Sequence, residues 1–392
     1  MPGLNLDEHN TLPADGYAGA LAGRVWRPDL GGPSVAAVRA EGVFDINLDF
    51  PTIRDLCEAA DPAGGLRAAK GERIASLVDI LENTPPDRRN PAKPWLLAPI
   101  DLQAIKAAGV TFATSMLERV IEERARGDMA AAATIRSEMV RLIGDDLARL
   151  KPGSPAAMRL KEALIAQGAW SQYLEVGIGP DAEIFTKSQP MAAVGHGADA
   201  GFHHSSAWNN PEPEVVLAVN SAGAIAGATL GNDVNLRDVE GRSALLLGKA
   251  KDQNASCAIG PVLRLFDATF SLDDVRALHV GLTVQGEDGF KLEGGSSIGE
   301  ISRDPADLVA QMIGASHQYP DGAALFLGTM FAPIADRDAP GKGFTHKVGD
   351  IVTVAADKLG QLSNRMRHSR DCPPWDYGAS HLMRYLARQG LI

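Results

Sequence analysis

Residues 212–234 read EPEVVLAVNSAGAIAGATLGNDV. Two apolar runs, VVLAV and IAGATL, flank Asn220-Ser221-Ala222-Gly223, so the segment predicts two strands joined by a tight turn. The polar turn and its glycines break the run too early for a membrane helix. A strand's period of two places Glu212 and Glu214 on one face, and the returning strand delivers Asp233 beside them. Anionic groups held side by side repel, so either one takes up a proton or a cation bridges them. Three carboxylates suit a hard cation such as Mg²⁺ or Mn²⁺ far better than a structural Zn²⁺, which prefers nitrogen and sulfur. On spacing alone the other reading is equally good: ExE also opens solvated edge strands.

Outward from this hairpin, the chain after Glu183 consists of short β runs between turn signals, among them CAIGPVLRLF, HVGLTVQ and FKLEG. DPADLVAQMIGASHQY predicts a helix with Asp304 as N-cap and Pro305 at its first position. A late hairpin, DIVTVAADKLGQL, and a terminal helix, SHLMRYLARQ, close the chain. Upstream, TIRDLCEAA and LRAAKGERIASLVDILENTP have helical spacing. Ile105, Val110, Met116, Val120 and Ile121 fall on one helical face, so the stretch before about residue 170 reads mainly as helix and loop. The loop-like PPDRRNPAKP predicts a boundary between an N-terminal domain, 1–95, and a catalytic domain, 96–392. The class expected is α+β, with a mainly β catalytic domain.

Of the 392 residues 45% are hydrophobic and 22% charged, enough apolar material for two domains with a substantial core. A formal net charge of -11 argues against nucleic-acid and membrane partners, which need clustered Lys and Arg, and favours a small-molecule ligand. Cys57, Cys257 and Cys372 are too scattered for a disulfide framework, and the N-terminus MPGLNLDEHN lacks a signal peptide's basic and apolar regions, so a cytoplasmic location is expected. Gly295-Ser296-Ser297-Ile298-Gly299 matches GxSxG, but the charged turn SRDP follows it instead of a helix. Gly195-His196-Gly197-Ala198-Asp199-Ala200 precedes GFHHSSAW with no apolar helix to receive a pyrophosphate, and reads as a loop. His203 and His204 would point apart on a strand and read as surface or supporting histidines.

Further residues follow the acidic pair in a fixed order. NNPEPEVVLAV, then GATLGNDVNLRD, then KDQNASCAIGPVLRL resemble the signature of the fumarylacetoacetate hydrolase family: an ExE pair, an NDxSxRD segment, and a Lys nine residues ahead of Gly-Pro. The matching positions are Glu212 and Glu214; Asp233, Arg237 and Asp238; and Lys251 ahead of Gly260-Pro261. LLAPIDLQAIKAAGVTFATSMLERVIEE is similar to the segment opening the family's catalytic region, and LGTMFAPIADRD resembles its late GT-containing turn. The resemblance implies a β-roll made from a mixed, highly curved sheet, a metal near its mouth, and a homodimer or homotetramer.

Hydrolases of this family carry NYxxHxxE, whose His and Glu activate water. Aligned on GVTF, Phe112 stands for the Tyr and Ser115 for the His, while Glu118 reads as a helix-surface acid. Members resembling GVTF..S...R..E, PDAEIFTKSQP and SAWNNPEPE are instead dehydratases of 2-keto-3-deoxy-pentonates, of xylonate or arabinonate type, in oxidative pentose catabolism. The resemblance therefore implies a lyase that forms 2,5-dioxopentanoate, with Glu212, Glu214 and Asp233 holding Mg²⁺, or Mn²⁺ or Ca²⁺ in its place. Lys251 is expected to stabilise charge developing on an enolate. Glu183 is expected to be the acid/base residue, or else a solvated acid at a strand start; Lys187 is expected to face substrate. Thr329 would bond the substrate carboxylate or merely cap a turn. Arg237 would hold a ligand oxygen or pair internally with Asp238 or a metal carboxylate. The rival functions are an acylpyruvate or fumarylpyruvate hydrolase with another base, and a non-catalytic protein stabilised by a structural Ca²⁺.

Overall fold

The computed structural model describes residues 4–126, 128, 131–132, 134–136, 150–166, 168, 170–331, 333, 335–339 and 343–392, without the side chains of 113–115. The central hairpin forms as expected. Pro213–Val219 pairs antiparallel with Ile225–Asp233 in a register that sets Glu214 opposite Gly231. Gly223 closes the turn at φ 83, a conformation glycine adopts without strain. Directly paired residues share a face, so Asp233, two beyond Gly231, projects to the same side as Glu214 and Glu212.

The hairpin lies inside an eleven-stranded sheet. From one edge the strands run 72–75, 42–45, 32–39, 20–27, 257–265, 225–233, 213–219, 323–326, 104–109 and 183–188, and Trp95–Leu97 also pairs with 20–27. All neighbours are antiparallel except 323–326 against 104–109. A second sheet, ordered 291–297, 279–285, 351–356, 360–368 and 199–202, packs beside it. Val215, Leu217 and Val219 join Leu282, Val354 and Leu362 in the core between the sheets, while Val216 packs on the opposite face with Ile105, Ile259 and Phe326. A strand buried on both faces needs an unbroken apolar run, which VVLAV supplies.

The late hairpin and the terminal helix Ala379–Arg388 are where the sequence places them, and Asp304 caps Pro305–Met312 by accepting the Ala306 amide. The stretch before residue 170 is mostly helix and loop among the described residues, but strands were not expected there. It holds strands 20–27, 32–39, 42–45, 72–75, 95–97 and 104–109, the first two buried almost throughout, so alternation of polar and apolar residues never marks them. Ile105 sits in strand Ala104–Gly109 and Val110 takes φ 57; the helix starts only at Ala113. Within that helix, Ala113–Arg124, Met116, Val120 and Ile121 do face a common core with Leu174 and Ile178. The expected boundary at 95/96 falls inside strand Trp95–Leu97, which pairs with Ala20–Arg27, and that strand in turn pairs with Cys257–Leu265.

His203 and His204 occupy a turn and stack at 4.5 Å, correcting the expectation that they point apart. His196 is buried, accepting the Ser363 amide at 3.0 Å, so the Gly195–Ala200 loop is a structural tie. Cys57, Cys257 and Cys372 are buried free thiols, and among the described residues no helix is long and apolar enough to cross a membrane.

Candidate active site

Glu212, Glu214 and Asp233 each place a carboxylate oxygen within 4.8 Å of the others, and all three are buried. Lys251, in the short helix Leu247–Lys251, donates to Glu212 Oε2 at 2.6 Å and to Asp233 Oδ2 at 3.0 Å. Arg119 Nη2 donates to Glu212 Oε1. Glu214 Oε2 accepts the Gly328 amide at 2.7 Å. Burial pushes Glu212 upward, but Lys251 and Arg119 outweigh it and bring its pKa down to about 2. Glu214 goes the other way: burial raises it well above the carboxylate range, and Asp233 and Glu212 add to the rise. The cluster therefore lacks positive charge beside Glu214, and three hard oxygens around that point fit a divalent cation.

Lys187 was expected to face substrate. Its fully buried ammonium lies 2.8 Å from Asp233 Oδ1 and donates to the Lys251 and Val234 carbonyls, so it anchors Asp233 and the Lys251 helix from behind. Thr329 follows the Gly328 amide that binds Glu214, and its hydroxyl donates to the Phe331 carbonyl at 3.1 Å, the turn-capping alternative. Arg237 touches neither Asp238 nor a metal-type carboxylate. It donates to Glu122 Oε1 at 2.6 Å, Glu118 Oε2 at 3.0 Å and the Pro333 carbonyl at 3.2 Å, with its guanidinium 4.4 Å from the Trp208 ring. Asp238 instead accepts from Ser206 Oγ and the Ala207 amide. Glu118, expected on a helix surface, is buried because it partners Arg237.

Sequence reasoning gave no role to the charged face of helix 113–124, although Arg119 and Glu122 are the R and E of GVTF..S...R..E. Arg119 joins Glu122 at 2.7 Å and Glu240 at 3.0 Å while also reaching Glu212, so one guanidinium ties the helix to the carboxylate cluster. The available signal was Glu118, Arg119 and Glu122, polar residues recurring at three- and four-residue spacing on a helix with an apolar opposite side. The side chain of Ser115 lies outside the described residues.

Glu183 opens the strand Glu183–Ser188 and pairs with Gly109. It is partly accessible, unlike the three clustered carboxylates. Burial and the nearby Glu240 charge raise its pKa to about 7, against the pull of Arg119 and Lys251. A Cβ added at Gly109 would fall 2.0 Å from Glu183 Oε2, so the glycine makes room for this carboxylate. Gly109→Ala should fold and yet displace Glu183, lowering turnover by roughly 10²-fold, the scale expected of an ångström-sized misplacement. Steady-state kinetics beside an unchanged circular dichroism spectrum would check it.

Glu183 also predicts a pH effect in the metal-free protein. Its folded pKa of about 7 exceeds the ordinary 4.5, so the folded chain binds the extra proton between those values, and its contribution to stability is lost as pH rises through that window. Glu183→Gln should remove this component. Urea denaturation at several pH values checks it: parallel stability curves for the two proteins would contradict the assignment.

Comparison with known proteins adds to this geometry. Residues 208–367 match the family described as Fumarylacetoacetate (FAA) hydrolase C-terminal. The 2-dehydro-3-deoxy-D-arabinonate dehydratase of Saccharolobus solfataricus is 31% identical over 188 residues, 48% of this chain and 59% of that protein. A probable 2-keto-3-deoxyxylonate dehydratase of Haloferax volcanii is 29% identical over 192 residues, 49% of this chain and 62% of the relative. The chain thus spans about three fifths of the length of the curated relatives it matches. Among solved structures, the apo form of 2-keto-3-deoxy-D-arabinonate dehydratase aligns over 89% of this chain and 99% of its own, with a TM-score of 0.61 and 21% identity. The same enzyme complexed with magnesium and 2,5-dioxopentanoate aligns over the same shares, 89% and 99%, with a TM-score of 0.59 and 20% identity. At such identities the structural likeness is one of fold. Glu212, Glu214, Asp233 and Lys251 all fall inside the segment, residues 208–367, that matches the fumarylacetoacetate hydrolase C-terminal family.

Proposed function

We propose that this protein is a divalent-cation-dependent dehydratase converting a 2-keto-3-deoxy-pentonate, of xylonate or arabinonate type, into 2,5-dioxopentanoate. The observation that carries the proposal is a buried triad, Glu212, Glu214 and Asp233, set near a partly accessible glutamate whose pKa is about 7. The names of the curated relatives and of the magnesium- and product-bound neighbour support it.

The triad would hold Mg²⁺, which when bound polarises the 2-oxo group and acidifies the hydrogens on carbon 3. Near neutral pH Glu183 is present in both protonation states, so it can take a proton from carbon 3 and return one to the hydroxyl leaving carbon 4. Loss of these two groups removes one water. Moving a proton from carbon 5 to carbon 3 then gives the enol of carbons 4 and 5, whose hydroxyl proton passes to carbon 4 as the terminal alcohol becomes the aldehyde of the product. Lys251 fixes Glu212 and Asp233 and adds positive potential where the carbonyl oxygen gains charge. Lys187 and Arg237 act as positioning residues, the first through Asp233 and the second through helix 113–124. Thr329 would meet the substrate carboxylate once its hydroxyl turns from Phe331.

Turnover of both deoxy-pentonate epimers with Mg²⁺ in D₂O, followed by NMR, tests the reaction type. The expected product is an intact five-carbon dioxo acid with deuterium bound to carbon. Rapid pyruvate release from an acylpyruvate, with neither deoxy-pentonate consumed, would establish the hydrolase instead.

A further inference from the structure

A cavity of about 210 Å³ lies between the N-terminal strands and the segment after Cys372; Glu183, Glu212, Glu214, Asp233 and Lys251 are not among the residues lining it. Its wall is aromatic. Trp26 stacks on Trp95 at 5.6 Å and meets the edge of Tyr377 at 5.2 Å. Trp375, 46% exposed, stands at the mouth with its indole N–H donating to the Tyr377 carbonyl at 3.2 Å. Aromatic walls of this kind give a planar ring large contact area at little cost in side-chain freedom.

Two guanidiniums reach the same cavity. Arg24 is only 5% exposed; its Nη1 donates to the Ala98 and Ile100 carbonyls, but its Nη2 finds only the Met191 sulfur at 3.7 Å, a weak acceptor. The nearest carboxylate, Asp101, is 3.8 Å from Arg24 Nε and already receives the Ile53, Arg54 and Leu102 amides. Arg89 lies 4.7 Å over the Trp95 ring, donates to the Thr84 carbonyl, and has no ion-pair partner among the described residues. Of the acids lining the cavity, Asp199 is engaged by Arg365, and Asp376 is exposed. Tyr377 Oη is buried there without a hydrogen-bond partner among the described residues. Finally, Met191 and Ala255 line the cavity at φ 70 and 61, strained values for side-chain-bearing residues and a feature that concentrates at ligand sites.

We infer that this cavity binds a small planar aromatic carboxylate, its ring against the tryptophans and its carboxylate between Arg24 and Arg89, with Tyr377 Oη as an additional donor. The volume suits one bicyclic ring and excludes a dinucleotide.

Calorimetric titration of the 392-residue protein with 2-naphthoate and with its neutral analogue 2-naphthamide tests this. Saturable binding of the acid is expected, with the amide weaker by about ten-fold or more, the size of one charge-assisted contact. Arg89→Gln should reduce acid binding to the amide's level, and Trp375→Ala, at an exposed position, should weaken both ligands. Absence of saturable heat at millimolar acid, equal binding of acid and amide, or binding untouched by both substitutions would overturn the inference. So would a change of assembly size in Trp375→Ala together with no binding, which would make the cavity an interface between copies.

Discussion

Glu214→Gln is expected to abolish turnover, by at least about 10³-fold, and to weaken Mg²⁺ binding by about 10²-fold or more while the protein stays folded. The carboxamide keeps the shape of the side chain and can still accept the Gly328 amide, so the backbone tie at 2.7 Å survives. What disappears is the negative charge a cation needs. That same charge is a burden in the metal-free protein, where burial, Asp233 and Glu212 all resist ionisation of Glu214. The substitution should therefore leave metal-free thermal stability unchanged or raised while removing the stabilisation that added Mg²⁺ gives the parent. Calorimetric Mg²⁺ titration beside melting curves with and without the ion reads both effects. Full Mg²⁺ affinity in Glu214→Gln would remove Glu214 from the cation site.

Lys251→Met is the second large effect, and its signature differs. Lys251 has a pKa held above the usual lysine range: burial alone would lower it, but Asp233, Glu212 and Glu240 prevail. Removing the ammonium leaves Arg119 on Glu212 and Lys187 on Asp233 as the remaining cations, so the loss should fall short of the ~3–5 kcal/mol typical of an uncompensated buried charge. The metal-free variant should melt lower, and saturating Mg²⁺ should recover part of the loss because the ion replaces some of the missing positive charge. Even at full Mg²⁺ occupancy turnover should fall by about 10²–10³-fold with a modest change in KM, since the charge matters most as the carbonyl oxygen gains electron density. A variant in which only KM rises would mark Lys251 as a binding residue.

The carboxylate triad was legible in the sequence because it rests on the simplest regularity in a strand: Glu212 and Glu214 are two apart, and a short turn brings Asp233 back onto the same face. The sheet-rich second half was legible for a similar reason, since each strand there is framed by a turn. Strands 20–27 and 32–39 were not, because burial on both faces and abundant alanine and glycine erase the period. Lys187 and Arg237 were recognised as important and given the wrong neighbours. Which oxygen a long cationic side chain reaches depends on elements far apart in the chain, such as Glu118 and Glu122, 119 and 115 residues from Arg237. Arg119 entered only as a letter of the GVTF..S...R..E match and was given no role, since helical spacing marks a polar face but does not say which oxygen its arginine will reach.

The pairing of Ala20–Arg27 with Cys257–Leu265 bears on how the protein can be divided. A fragment starting near residue 96 would keep the carboxylate triad and Lys251 but lose the partner of the strand that hydrogen-bonds directly to the Asp233 strand. Val262, Leu263 and Leu265, now buried, would line a bare β edge, the kind of surface that recruits other chains. Minimal expression fragments of the metal site should therefore be aggregation-prone unless residues 20–39 are supplied, in the same chain or as a complementing peptide.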